Sequence, residues 1–186
     1  MARRGSWFFE GYETVIQTDA KGREKKILVY RGEWYGLGLD RAGLSRVKAA
    51  MAALTLVLTA MFLLLSFRPT TGGMERWVGL PLLLTLIPLI FLWIGMVNFL
   101  LAKDKWEIRT YYAGYRRLGR CILPAAILLA VSTVADVVYA VRGGSLAIMA
   151  ESTYLAELLV CLLCLWGLWT IRSRYPAQVV EGPDVQ

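Results

Sequence analysis

The chain has 186 residues, of which 57% are hydrophobic and 19% are charged, and its formal net charge is +7. Charged residues make up about a quarter of typical soluble domains. Here the apolar residues stand in long blocks with the charges between them, a distribution that excludes an ordinary soluble domain. The absence of histidine excludes His-based acid–base chemistry and most zinc sites.

The first 48 residues are too polar to span a bilayer. Segments 8–18 and 25–30 are rich in β-branched and aromatic residues, and Asp19-Ala20-Lys21-Gly22 between them has the composition of a turn. A further short strand is expected at 34–39. We predict a small N-terminal β-hairpin or meander that leans on the membrane or on another segment, because a hairpin alone is marginal in water.

Four apolar blocks follow. Each is long enough for a spanning helix, which needs about 20 residues, and a helix pairs all of its backbone groups within lipid. The sequence therefore predicts an all-α membrane protein, a bundle of four transmembrane helices. The predicted spans are 49–67, 77–102, 121–141 and 153–171, with a cytoplasmic connector at 103–120 and a tail at 172–186.

Two residues are expected to shape the helices. Asp40 has the position of a helix cap, after which the basic segment 41–48 would lead into the first span. Pro88 lies inside the second span, where it removes a helical hydrogen bond and clashes with the carbonyl of Leu84. We expect a kink there.

The distribution of Lys and Arg predicts the orientation. Eighteen of these residues lie in the N-terminal segment, the 102–120 segment and the tail, whereas the connections at 68–76 and 142–152 together hold three. Basic loops remain in the cytoplasm. We predict a multi-pass protein of the plasma membrane with both termini in the cytoplasm.

The connector interleaves basic and aromatic residues, which anchor a chain at the headgroup level and bind anionic lipid. It is interpreted as an interfacial anchor, or alternatively as a docking surface for a soluble partner. The residues of this candidate lipid or partner face are Trp106, Arg109, Tyr111, Tyr112, Tyr115, Arg116, Arg117 and Arg120.

Asp136 in the third span and Glu157 in the fourth are ionisable residues at membrane depth. Such groups cost at least about 2.5–3.5 kcal/mol at the centre of a bilayer and are functional candidates by default. The partner of Asp136 depends on where the fourth helix begins. A start near Ser145 places Glu151 level with Asp136 and Glu157 deeper, whereas a start near Thr153 brings Glu157 level with it.

Two roles remain open for these carboxylates. In the structural role, which we favour, they reach the outer interface or pair with the three basic residues of that side, Arg68, Arg76 and Arg142. In the functional role, they form an intramembrane ion or proton site. An unpaired Asp136 is expected to be protonated at neutral pH, since an ionised carboxylate is costly in low dielectric.

Cys161-Leu162-Leu163-Cys164 has CxxC spacing and is similar to the redox motif of the vitamin K epoxide reductase family, which also lies on a transmembrane helix. The resemblance is limited to these two cysteines. Their surroundings are apolar, and none of the three cysteines lies in a loop that could exchange electrons with the pair. We interpret both as buried small hydrophobic residues.

Tyr30-Arg31-Gly32-Glu33-Trp34-Tyr35, ahead of the first span, resembles the basic-aromatic N-terminus of uncharacterised small four-span membrane proteins of Gram-positive bacteria. The resemblance implies a bacterial plasma membrane and assigns no activity.

The leading functional hypothesis is a non-enzymatic accessory or scaffold subunit whose cytoplasmic basic-aromatic face binds a protein partner or anionic lipid. The alternative is a small oligomeric proton- or cation-coupled transporter that uses Asp136 and Glu157. An enzyme is least favoured because no GxSxG, Walker or HExxH pattern occurs. We expect no cofactor, no metal site and no nucleic acid. The expected partners are the bilayer, a membrane or cytoplasmic protein, and further copies of the chain.

Overall fold

Long helices form most of the computed structural model, which describes residues 11–18, 24–68, 70–143 and 145–182. The helices are α1 (Arg41–Phe67), α2 (Arg76–Leu84), α3 (Leu86–Leu101), α4 (Ile108–Tyr111), α5 (Arg117–Gly143) and α6 (Ser145–Arg174), and a π-helical turn, Tyr112–Arg116, joins α4 to α5. The strands are β1 (Tyr12–Thr18), β2 (Glu24–Tyr30), β3 (Trp34–Gly36) and β4 (Gln178–Val180).

Within these residues, four helical segments are long and apolar enough to cross a membrane: Arg41–Phe67, Arg76–Leu101, Ile108–Gly143 and Glu151–Arg174. They contain most of each predicted span, so the prediction of four long apolar helices is confirmed. The helices extend beyond the apolar blocks, because a helix needs paired backbone groups rather than apolar side chains to continue. The connector 103–120 is accordingly not a loop throughout, since helix resumes at Ile108.

The two residues expected to shape the helices do so. The Asp40 side chain accepts a hydrogen bond of 3.0 Å from the backbone N–H of Gly43 at the start of α1. The second span is interrupted at Thr85, between α2 and α3. Pro88 has no N–H to donate to the carbonyl of Leu84, and the next helical bond runs from the Leu89 N–H to Thr85.

The bundle has two chemically different ends. The sheet end comprises the four strands, the start of α1, residues 102–117 and the end of α6. The acidic end comprises the loop at 68–75 and the junction between α5 and α6. Between the two ends, α1 and α5 pack on α6, and α2 and α3 pack on α5.

The strands form two separate sheets rather than one meander. β1 pairs antiparallel with β2, with Tyr12 opposite Tyr30 and Thr18 opposite Glu24. This confirms the hairpin, although the predicted turn at Asp19–Gly22 and residues 8–10 lie outside the described residues. The predicted third strand does not join the hairpin, because β3 pairs with β4 near the other end of the chain. The hairpin therefore forms without the third strand that a meander would need, and that part of the prediction is wrong.

Hydrogen bonds to the 103–120 segment hold the hairpin in place. Such support is expected, because a two-stranded sheet is only marginally stable alone. The Tyr12 hydroxyl donates to the Glu107 carboxylate. The backbone N–H of Ile108 donates to the Tyr30 hydroxyl at 3.2 Å. Burial, and then the bond to Glu107, raise the pKa of Tyr12 to about 12, so this hydroxyl keeps its proton at neutral pH.

Helix α3 packs very closely on the π-helical turn and the start of α5. A Cβ atom at Gly114 would lie 3.1 Å from the backbone nitrogen of Phe99, and one at Gly95 would lie 3.2 Å from the backbone nitrogen of Leu118. The two glycines thus permit backbone-to-backbone contact. This contact fixes α5, and with it Asp136, relative to the second span.

Candidate functional site

Three carboxylates are buried at the acidic end: Asp136 on α5, and Glu151 and Glu157 on α6. We call them the acidic cluster. Asp136 and Glu151 are fully buried, and Glu157 is 8% exposed. Buried carboxylates are uncommon unless they are paired, so their partners decide what this end of the bundle can do.

Glu151 holds the loop that precedes α2. One of its oxygens, Oε1, accepts hydrogen bonds from the Gly72 backbone N–H at 2.9 Å and from the Thr71 hydroxyl at 3.1 Å. Helix α6 begins at Ser145, which is the alternative in which Glu151 is level with Asp136. The structure thereby decides between the two starting points left open by the sequence.

Asp136 faces the same loop. Both of its oxygens are buried without a partner among the described residues. A Cβ atom at position 72 would lie 2.5 Å from Oδ1 of Asp136 and 3.1 Å from Cδ of Glu151. The two carboxylates therefore crowd around Gly72, where only a glycine leaves them room.

Glu157 lies deeper along α6 and has an ion partner. Its Oε1 is 2.9 Å from Nη1 of Arg68, whose side chain is 42% exposed. This pair matches the structural role expected for one of the carboxylates. Arg76 and Arg142, the other two basic residues predicted for this side, are exposed.

Four of the six carboxylate oxygens of the acidic cluster are buried without a hydrogen-bond partner in the described part of the chain: both of Asp136, Oε2 of Glu151 and Oε2 of Glu157. An unsatisfied buried polar group costs about 1–3 kcal/mol, and more when it is charged. The site therefore contains unused acceptor capacity, which a proton or a hydrogen-bond donor would satisfy.

Sequence reasoning missed Tyr154, which is 1% exposed. Its hydroxyl borders the loop that Glu151 holds, since a Cβ atom at Gly73 would lie 3.3 Å from it. The three-residue spacing of 151, 154 and 157 along one helix was the signal, because it places these side chains on one side of α6. The loop residues Thr71 and Gly72 carried no comparable signal, since a Gly-Gly pair indicates a turn of any kind.

A groove of about 380 Å³ lies beside the cluster, between α1 and the second span. Its lining is mainly apolar, and Ser66, Arg68, Gly73 and Tyr154 form its polar part. Leu83 and Phe67 on its rim are 64% and 82% exposed, so the groove opens on the side surface of the bundle.

At the sheet end, the structure divides the predicted lipid or partner face. Trp106 and Tyr115 are 1% and 3% exposed and pack on Phe99, so neither is available to a partner. The ring of Tyr111 stacks on Tyr35 at 4.6 Å. The aromatic half of the face is therefore largely used for internal packing.

The basic half of the face remains at the surface. Arg109 and Arg120 are exposed, and Arg116 and Arg117 are partly exposed. The Arg116 guanidinium lies 4.1 Å from the centre of the Tyr112 ring. What remains on this surface is positive charge rather than an aromatic patch.

The cysteines contribute no reactive thiol to the surface. Cys121, Cys161 and Cys164 are buried and free, among apolar neighbours. In the part of the chain that the structure describes, no three Cys, Asp or Glu side chains come together as metal ligands.

Comparison with known proteins adds no relative: the chain matches no protein family, no curated protein and no solved structure.

Proposed function

We propose that the protein is a small multi-pass carrier of the plasma membrane that couples a cationic substrate to protons through Asp136, Glu151 and Glu157. The four apolar helices would span the bilayer. The sheet end would lie in the cytoplasm, since it carries most of the basic residues. The acidic cluster would then lie in the outer half of the membrane.

The observation that carries this proposal is that neither oxygen of Asp136 has a hydrogen-bond partner among the described residues. A structural carboxylate at this depth is expected to be paired or hydrogen-bonded. Glu157 and Glu151 satisfy that expectation in part, whereas Asp136 does not, although it is fully buried. A proton on Asp136 would remove the cost of its charge, and its exchange for a cation is the elementary step of coupled transport.

The test is proton flux in liposomes that contain a trapped pH-sensitive dye and an acidic interior. Na⁺, K⁺ or tetraphenylphosphonium is added outside, with protein-free liposomes as the blank. We expect at least one of these cations to drive proton efflux in the parent. Asp136→Asn should remain folded and lose this flux. Glu75→Gln, an exposed acid at the same end, is the matched control and should retain it.

Two results would refute the proposal. One is flux in Asp136→Asn equal to that of the parent. The other is a parent protein, folded by thermal melting, that moves protons with none of the three cations.

The second candidate function is binding of anionic phospholipid at the sheet end, the remaining part of the hypothesis that the sequence favoured. It is supported by the exposed Arg109 and Arg120 and by the burial of Trp106 and Tyr115. Phosphatidylglycerol retained by the purified protein, measured by native mass spectrometry, should fall in Arg120→Gln. It should be unchanged in Arg31→Gln, whose side chain pairs with Glu13 on the hairpin. Equal retention in both variants would exclude this function.

A further inference from the structure

We propose that the groove between α1 and the second span binds a single-chain anionic lipid of the fatty-acid type, with its carboxylate at Arg68 and its tail along the apolar wall. The inference goes beyond the proposed function and takes from it only that the four apolar helices span a bilayer. It depends on the charge of the lining, on the order of polar and apolar residues along it, and on where the groove closes.

The first argument is charge. Among the described residues that line the groove, Arg68 is the only one with a charged side chain. Its ion partner, Glu157, is not part of the lining. The groove therefore presents a guanidinium to its occupant, and the planar fork of a guanidinium complements a carboxylate.

Arg68 retains donors for such an occupant. The ion pair joins its Nη1 to Oε1 of Glu157 at 2.9 Å, whereas a guanidinium has five N–H donors. The side chain is 42% exposed, so a second carboxylate can reach it from the groove. Tyr154, which lines the groove beside Gly73, adds a hydroxyl to the same end.

The second argument is the order of residues along the lining. Its polar residues from α1 and the following loop are Ser66, Arg68 and Gly73, all at the acidic end. Farther from the loop, every lining side chain of α1 and the second span is apolar: Phe62, Leu65, Leu82, Leu83 and Leu86. Phe62 comes six residues before Arg68, which is about 9 Å along a helix. A charged head followed by an apolar tail matches this order, whereas a small soluble anion would leave the apolar wall unfilled.

The third argument is the shape of the groove. Its rim residues Phe67 and Leu83 are exposed, so a lipid can enter from the side. Its far end is closed, because the Trp93 Nε1–H donates to the Thr59 hydroxyl at 2.7 Å and joins α3 to α1. The volume of about 380 Å³ is near the lower end of the range of about 300–1,000 Å³ typical of small-molecule sites. This space favours one chain over the two chains of a phospholipid.

The test is photo-crosslinking in phosphatidylcholine liposomes that contain the protein and a trace of palmitate with a diazirine in its chain. The pH is alkaline, so that the palmitate is ionised. Hexadecanol with the diazirine at the same carbon is the uncharged control. Labelling of the groove residues is mapped by mass spectrometry and divided by labelling at Leu163, which is 61% exposed on α6 and outside the groove. This ratio corrects for random collisions with lipid, and in the parent it should be higher for palmitate than for hexadecanol.

Two variants test the charge argument in opposite directions. Arg68→Gln should lower the palmitate ratio about tenfold, because a charge-assisted hydrogen bond is lost. Glu157→Gln should raise it, since the guanidinium no longer has a competing carboxylate. Arg76→Gln is the matched control, an exposed arginine of the same end that does not line the groove. If Arg68→Gln does not fold, the double variant Arg68→Gln/Glu157→Gln replaces it, because it leaves no stranded carboxylate.

Two further variants test the position of the tail. Leu83→Trp should fill the groove and lower the palmitate ratio, and Leu86→Trp repeats the block if Leu83→Trp does not fold. Leu80→Trp, which is 60% exposed but outside the groove lining, should be labelled as the parent is.

Four results would overturn the inference. They are equal ratios for palmitate and hexadecanol in the parent, labelling of Arg68→Gln or its double variant equal to that of the parent, labelling of the Trp block variant equal to that of the parent, and displacement of the probe by phosphatidylglycerol as effectively as by unlabelled palmitate. The last result would assign the groove to a phospholipid.

Failure of this inference is distinguishable from failure of the proposed function. Cation-driven proton flux without charge-selective labelling would refute the lipid site and leave the carrier. Labelling that is selective for palmitate and sensitive to Arg68→Gln, without any proton flux, would refute the carrier and leave the lipid site.

Discussion

Asp136 on α5 and Glu151 on α6 approach the backbone of the same residue, Gly72, from two different helices. Glu151 accepts the Gly72 N–H at 2.9 Å, and the Asp136 carboxylate occupies the space that a side chain at position 72 would need. A loop residue thus determines how closely two buried carboxylates can lie. The fit at this glycine is the most direct feature to test.

Gly72→Ala should destabilise the protein by about 1–3 kcal/mol, as overpacking of a buried site does. The new methyl group would lie 2.5 Å from Oδ1 of Asp136. Gly36→Ala is the control, because its methyl group would meet its nearest neighbours at an ordinary 3.4 Å. Thermal unfolding in detergent measures both. Equal stability of Gly72→Ala and the parent would show that the carboxylates are not held against the loop.

Asp136→Asn and Glu157→Gln should differ in stability. Asp136 has no hydrogen-bond partner in the part of the chain that the structure describes, so its amide variant should unfold within about 0.5 kcal/mol of the parent. Glu157→Gln leaves Arg68 without its counter-ion and should cost about 1–2 kcal/mol, less than for a fully buried pair because Arg68 is partly exposed. Unfolding is measured at neutral pH. A large loss in Asp136→Asn would mean that Asp136 is ionised and paired in the membrane.

Lys48→Met should loosen the contact between α1 and the end of α3. The Lys48 ammonium donates to the carbonyls of Leu100 and Ala102, at the helix end where cations are favoured. Loss of these bonds should cost about 1–2 kcal/mol. Arg46→Met, an exposed position on the same helix, should change stability little. Similar melting of the two variants would show that Lys48 does not join the helices.

Topology is tested by single cysteines in a background without Cys121, Cys161 and Cys164. Ala20→Cys, Thr110→Cys and Val179→Cys should react with a membrane-impermeant reagent only after the cells are opened, because all three positions belong to the basic side of the chain. A cysteine at Met74, which is 75% exposed at the acidic end, should react in intact cells. The reverse pattern would overturn the orientation.

The four long helices followed from the sequence because each apolar block is separately long enough to be recognised. Their ends did not follow, since α6 continues to Arg174 after the apolar block has ended. The break at Thr85 was expected nearer Pro88. It falls three residues earlier, next to Leu84, because Pro88 lacks the N–H that would bond the carbonyl of Leu84 in the preceding turn.

The contacts between distant segments could not be predicted. β3 and β4 have three residues each, and nothing in Trp34–Gly36 indicates that its partner is Gln178–Val180. For the same reason, sequence reasoning identified Asp136, Glu151 and Glu157 but missed Tyr154 and Gly72. The first three stand out by charge, whereas the other two matter only because the fold brings them to the carboxylates.

The pairing of β3 with β4 has a consequence for biosynthesis. β4 comes after all of the helices in the chain, so a ribosome has synthesised every spanning helix before β3 can find its partner. Until then, the β3 edge is open on one side, and unpaired edges of this kind are sites of misassembly. A chain that stops before Gln178 could still insert all four helices, but it would leave Trp34 and Tyr35 without their strand partners. Closure of this sheet therefore requires synthesis to continue past the last spanning helix.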